Sequence, residues 1–280
     1  MATNEQRREA AKRKLERQIE HRQQQAKRNR AIAAAVTAGA VVVIIGLVVF
    51  FATRGGDDPA AQAKPQGQQQ PTLRIPTERV AVPERPKPLP NPVTCSYPDS
   101  GNAAKKVSPP KDGTVPSKGT VDVTMSTTAG DIGLTLDRSL APCTVNSMLN
   151  LIKQDYYEGS SCHRLGTREL QMLQCGDPTG TGSGGPGYRF ADETFPQLHY
   201  GRGLVAMANS GPNTNGSQFF LVYGEAPLDP DYSVFGTISD EGLATLDKVA
   251  RAGIGQPGPT GDGTGRPAMP VKFTDITVSA

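Results

Sequence analysis

Residues 31–53 form a run of 23 positions without a single charged side chain, dominated by Val, Ile, Ala and Leu. A helix needs roughly 20 apolar residues to cross the hydrocarbon of a bilayer, so this run is long enough to span one with some tilt. Residues 1–30 precede it with ten Lys or Arg against four Glu, a net charge of +6, whereas the far side offers Arg54 and then Asp57 and Asp58. Basic residues concentrate on the cytoplasmic flank of a span, so the N-terminus is expected in the cytoplasm and everything after residue 53 outside. Nucleic-acid binding is the other reading of such a basic run; its position against the apolar segment favours a topogenic flank, and no nucleic-acid partner is expected. A tether to an intracellular complex is a further reading of residues 1–30. The apolar run exceeds the about 7–15 residues of a cleaved signal's h-region, and no convincing small-x-small site follows Phe51. An uncleaved, single-pass signal-anchor in the cell membrane is therefore expected.

Of the 24 prolines, 13 fall within residues 55–116. Such a stretch favours extended polyproline conformations, and residues 54–116 read as a disordered, semi-rigid Pro/Gln-rich linker. That leaves residues 117–280 for a single domain, a comfortable size for one core. All four cysteines (Cys95, Cys143, Cys162, Cys175) lie on the expected outer side, where two disulfides with three possible pairings are expected. The pairing favoured is Cys162 with Cys175, since both sit in one apparent hairpin, leaving Cys95 with Cys143. There is no CxxC and His21, His163 and His199 are scattered, so neither a metal nor a cofactor is expected.

Within the domain, Val121, Val123 and Met125 alternate with polar residues, as do Ile132, Leu134 and Leu136, around turn chemistry at Thr128-Ala129-Gly130-Asp131. This is a hairpin. Residues 141–154 read as a helix, with Pro142 in its first turn and Val145, Met148, Leu149 and Ile152 on one face. A second helix fits residues 240–252. Strand-like runs recur at 165–174, 203–208, 218–222, 234–238 and 271–278. Short strands with only two helices point to a mainly β, antiparallel barrel capped by helices rather than a doubly wound fold.

The most informative stretch is Met207-Ala208-Asn209-Ser210-Gly211-Pro212-Asn213-Thr214-Asn215-Gly216-Ser217-Gln218-Phe219-Phe220. It is a loop crowded with amide and backbone hydrogen-bonding groups between two apolar strands, which suggests a ligand surface. This run closely resembles the signature of cyclophilin-type peptidyl-prolyl cis-trans isomerases. His163-Arg164, Gln174-Cys175-Gly176-Asp177 with the glycine-rich residues after it, and Asp231-Tyr232-Ser233-Val234-Phe235-Gly236 resemble further segments of the family in its order. The resemblance covers residues 120–278 and is closest to a membrane-anchored bacterial form. It implies an eight-stranded barrel capped by two helices and isomerisation of Xaa-Pro bonds in proline-containing polypeptides, by a monomeric catalytic domain that assists folding of exported proteins.

The same resemblance assigns the groove. Arg164 stands at the catalytic arginine. His163, Met172, Gln174, Ala208, Asn209, Gln218, Phe220, Leu228 and Tyr232 stand at substrate-binding positions. Phe219 is expected in the core, because alternation sends it to the face opposite Phe220. The sequence departs from the family at Cys162, where a phenylalanine is usual, at Gln171 and Pro227, where aromatic residues are usual, and at Tyr232, which replaces a histidine. The segment between Arg164 and Gln174 is also longer than the family's. Gln171 and Pro227 favour the alternative, a proline-peptide binding module or chaperone with little turnover.

Overall fold

The computed structural model describes residues 73–259 and 261–279. The described residues all fall in the second of two units of the chain, Gln69–Ala280. The basic segment 1–30, the expected span 31–53 and the linker up to residue 72 lie outside the described residues. No helix among the described residues is long and apolar enough to cross a membrane.

The second unit opens with β1 (Val93–Cys95) and β2 (Gly113–Val115), which pair as a small antiparallel sheet. The alternating hairpin becomes β3 (Thr120–Thr127) and β4 (Gly130–Asp137), in register from Thr120↔Asp137 to Thr127↔Gly130. Helix α1 (Pro142–Ile152) follows. Next come β5 (Arg164–Gly166), β6 (Met172–Cys175), β7 (Leu204–Met207), β8 (Phe219–Val222) and β9 (Val234–Ile238). Helix α2 (Asp240–Ala252) is capped by the Ser239 hydroxyl, which accepts from Gly242 N, and carries Asp240 and Glu241 in its first turn, where the helix dipole favours acids. The chain ends with β10 (Ile254–Pro257), β11 (Thr264–Pro267) and β12 (Phe273–Ser279).

The main sheet has ten strands in the order β10-β11-β5-β6-β8-β7-β9-β4-β3-β12, all antiparallel and open at both ends. This corrects the expected closed barrel of eight. The two additional strands, β10 and β11, are short and rich in Gly and Pro, and neither alternates buried with exposed residues, so no period of two marks them. The edge strand β12 meets the chain just before β5 without a ladder: Cys162 N donates to Val271 O at 2.9 Å and Phe273 N to Ser160 O at 3.0 Å, around an isolated bridge Ser161↔Lys272.

Two apolar clusters lie on opposite faces of β6–β9. Leu173, Val205, Met207, Phe219 and Leu221 join one, with Val123, Met125, Leu134, Leu136 and the buried faces of both helices. Met172, Leu204, Ala206, Phe220 and Val222 join the other. Phe219 and Phe220 thus part company, as the period of two requires.

Residues 73–116 are not a free linker. Cys95, Tyr97 and Val115 are in the first cluster, with Leu73, Ile75, Val93 and Val107 against it. Arg79 bonds Asp240 at 2.6 Å and Ile238 O at 2.6 Å, while Arg85 reaches Leu140 O at 2.7 Å and lies 4.8 Å from the Phe195 ring centroid. The segment is too proline-broken to fold alone, but its scattered apolar residues find partners on the domain. Both disulfides form as favoured, Cys95–Cys143 and Cys162–Cys175.

Candidate active site

Strand register builds the site. Arg164 on β5 lies opposite Gln174 on β6, Gln174 opposite Phe220 on β8, and Phe220 opposite Ala206 on β7. These four therefore stand in one row across the sheet. Met172 and Phe220, exposed by 2% and 4%, form the buried floor, and Ala208, Leu228 and Tyr232 are partly buried around it. The Tyr232 ring meets Phe220 edge-on at 5.6 Å.

The polar side of the row is a continuous relay. Arg164 Nη1 donates to Gln174 Oε1 at 3.4 Å, and Gln174 Nε2 to Gln218 Oε1 at 2.9 Å. Gln218 Nε2 in turn donates to Gly182 O and Gly184 O, both at 2.9 Å. Gly176 lets β6 approach this close: a Cβ there would lie 2.3 Å from Ser217 O. The glycine-rich loop is organised by Asp177, whose carboxylate accepts from Thr179 N, Thr181 N, Gly182 N and Gly184 N. Burial pushes the Asp177 pKa up, but the bonds from Thr179, Gly184 and Gly182 outweigh it and hold it at about 2.

Arg164 keeps about a third of its side chain exposed, at 38%, and is oriented from three sides. Beside Gln174, its Nε donates to Thr264 Oγ1 at 3.1 Å and its Nη2 to Asp262 Oδ2 at 3.3 Å. The guanidinium borders a cleft of about 440 Å³ that it shares with His163, Gln174 and the turn after β10. A second cleft of about 420 Å³ begins on the other side of Gln174, beside Gln218, Ala208 and Asn209.

The structure thus brings Arg164, Gln174, Gln218, Met172, Phe220, Ala208, Leu228 and Tyr232 together. His163 is set apart from the apolar floor. Its ring lies beside Gly182, its Nδ1 is buried without a hydrogen-bond partner, and burial lowers its pKa, with Arg266 and Arg164 adding to the effect and Asp177 opposing it. The Asn209 side chain is committed to the loop, donating to Asp231 O at 2.9 Å and accepting from Gly211 N at 3.2 Å. Gln171 takes no part in the pocket; its amide donates to Arg74 O at 2.7 Å and accepts from Glu225 N at 2.9 Å. Pro227 is exposed.

Three contributors escaped the sequence reading. Tyr200 packs on both Phe220 and Tyr232 and exchanges hydrogen bonds with the Tyr232 backbone. Asp262 and Thr264 reach Arg164 from a glycine-rich turn far along the chain. The only sequence signal for that pair was an Asp between Gly261 and Gly263, ordinary turn chemistry.

Comparisons with known proteins bear on the family of the chain. The family described as cyclophilin type peptidyl-prolyl cis-trans isomerase/CLD matches residues 120–278. A probable peptidyl-prolyl cis-trans isomerase B of Mycobacterium leprae is 52% identical over 184 residues, which cover 60% of this chain and 62% of the relative. Its Mycobacterium tuberculosis counterpart is 48% identical over 197 residues, 65% of this chain and 63% of the relative. The chain therefore matches less than two thirds of the length of either mycobacterial protein. The rat peptidyl-prolyl cis-trans isomerase-like 3 is 44% identical over 165 residues, 57% of this chain and 97% of the relative. The crystal structure of a cyclophilin type isomerase from Cryptosporidium parvum superposes with a TM-score of 0.50 at 34% identity, covering 58% of this chain and 99% of that one. The family match over residues 120–278, more than half of the chain, places this chain in the cyclophilin-type peptidyl-prolyl cis-trans isomerase family.

Proposed function

We propose that the domain isomerises Xaa-Pro bonds of polypeptides outside the cytoplasm, as a monomeric catalytic unit held at the cell membrane by residues 31–53. The observation that carries the catalytic part is the placement of the Arg164 guanidinium, in cross-strand register with Gln174 and Phe220.

Rotation about an Xaa-Pro bond faces a barrier of about 18–20 kcal/mol because the C–N bond is partly double. Twisting the amide localises a lone pair on the prolyl nitrogen. A guanidinium directed at that nitrogen donates to a species present only at the twisted geometry, so it binds the transition state better than either ground state. Arginine suits the task because it is charged at every working pH and offers a planar fork of donors. Met172, Phe220, Leu228 and Tyr232 receive the pyrrolidine ring, and Gln174 with the backbone at Asn209 holds the flanking carbonyls. Thr264 and Asp262 are positioning residues for the guanidinium.

The test is NMR exchange spectroscopy on an Ala-Pro peptide with the full chain in detergent micelles. Arg164→Ala is expected to lower catalysed exchange on the order of 100-fold, the loss typical of a transition-state donor. A full chain no faster than this variant would remove the catalytic reading. For the location, protease added to intact cells is expected to digest the domain and spare residues 1–30. The two disulfides support an oxidising compartment, as export of the domain requires.

A further inference from the structure

The cleft of about 420 Å³ beyond Gln174 is walled by groove residues on one side and by Ser100 and Asn102 on the other. Those two residues precede the segment that matches the family, which begins at residue 120. They are not loosely draped there. Ser100 N donates to Gly187 O at 2.9 Å, Ala104 N to Gly185 O at 2.8 Å, and Arg189 N to Pro98 O at 3.0 Å. Tyr97 is buried with its ring edge-on to Tyr188 and Phe190, and the Cys95–Cys143 disulfide pins the segment two residues earlier. The fit between segment and loop is close, since a Cβ on Gly187 would lie 2.9 Å from both Ala103 N and Gly101 O.

The chemistry of the cleft is one-sided. Arg189 is the one cation among the residues that line it, and no carboxylate lines it. Among the described residues Arg189 makes no ion pair, and the Ser100 hydroxyl and Asn102 amide have no side-chain hydrogen bond. A cleft with one unpaired cation and two unengaged polar side chains, opening from Gln174, Ala208, Asn209 and Gln218, suits an anionic side chain on the chain that occupies the groove.

We propose that the segment at residues 98–104 completes a specificity subsite with Arg189, which takes an Asp or Glu flanking the proline of the substrate. The proposal rests on the reading of the groove as the site of a proline-containing peptide. It makes a segment outside the family domain a determinant of which polypeptides are chosen.

The test uses the full chain in detergent micelles and a series of fluorescent Ala-Pro peptides. In each peptide one position on either side of the proline carries Glu or Lys. At one position or more the Glu peptide is expected to bind about two- to fivefold tighter than its Lys partner at low salt, the range of a solvent-accessible ion pair. The preference is expected to fade as salt is raised, because the pair is screened, and to vanish in Arg189→Ala. Ser100→Ala with Asn102→Ala is expected to reduce it and serves alongside the salt series should the arginine variant not fold. Equal affinity for Glu and Lys at every position, or a preference that survives both high salt and Arg189→Ala, would overturn the subsite. Binding separates this outcome from the catalytic one. A chain that isomerises all peptides alike loses only the subsite, and one that selects Glu without turnover loses only the catalysis.

Discussion

Asp177 is fully buried, yet its carboxylate stays charged because the N–H groups of Thr179, Thr181, Gly182 and Gly184 in the glycine-rich loop donate to it. Its folded pKa, about 2, lies below the ordinary 3.8, so the charged form contributes stability above pH ~4 that is lost as pH falls towards ~2, about 2 kcal/mol in all. His163 adds a second acid-sensitive term. Burial lowers its pKa from 6.5, so the unfolded chain binds more protons and stability declines as pH falls below 6.5. We expect urea midpoints to drop in these two windows, with Asp177→Asn flattening the lower one and His163→Gln the upper. Asp177→Asn is also expected to slow Ala-Pro exchange. It frees Gly182 and Gly184, whose carbonyls hold Gln218 and through it Gln174. A lower limb unchanged in Asp177→Asn would refute the assignment.

At the scale of elements, what could be read in advance depended on how each strand is buried. β3 and β4 alternate because one face meets water, so their hairpin was visible residue by residue. β7 and β8 are buried on both faces and read only as apolar runs; parity alone separated Phe219 from Phe220. β10 and β11 present neither signal, and β1 and β2 sit in proline-rich sequence, so all four were missed. The site divides the same way: Arg164, Gln174 and Gln218 lie in contiguous motifs, whereas Asp262, Thr264 and Tyr200 join through tertiary approach that no local pattern records. The cysteines were the exception: the hairpin suggested Cys162 with Cys175, which left the long-range pair Cys95 with Cys143. The Cys95–Cys143 bridge closes 48 residues and joins β1 to α1. Its loss in Cys95→Ser with Cys143→Ser is expected to cost up to about 4 kcal/mol by loop-closure entropy, seen as a lower urea midpoint. The double variant should also weaken any Glu preference, because the bridge anchors the wall that carries Ser100. An unchanged midpoint would mean that β1 is held by packing alone.

For the whole molecule, the compact unit begins at Gln69 rather than at Ser117. Proline content placed the start of the domain at Ser117, on the reasoning that residues 54–116 cannot build a core. They do not build one; residues 73–116 complete one. Tyr97 meets Tyr188 and Phe190 edge-on, Val115 and Cys95 enter the main cluster, and Val80 lies against the cluster that contains Phe220. Each fully buried side chain of this kind contributes about 1.5–3 kcal/mol, so removing Cys95, Tyr97 and Val115 together costs several kcal/mol of the about 5–15 that a domain possesses. A chain beginning at Ser117 is therefore expected to melt at least about 10 °C below one beginning at Gln69, given about 4–8 °C per kcal/mol for a small domain and less for a larger one. It should bind a hydrophobic dye through the exposed seat of Tyr97. Equal melting temperatures for the two would mean that residues 73–116 rest on the domain without stabilising it. The wall of the second cleft would then be an ornament of the fold, because a segment that adds nothing to stability cannot hold Ser100 and Asn102 against a substrate.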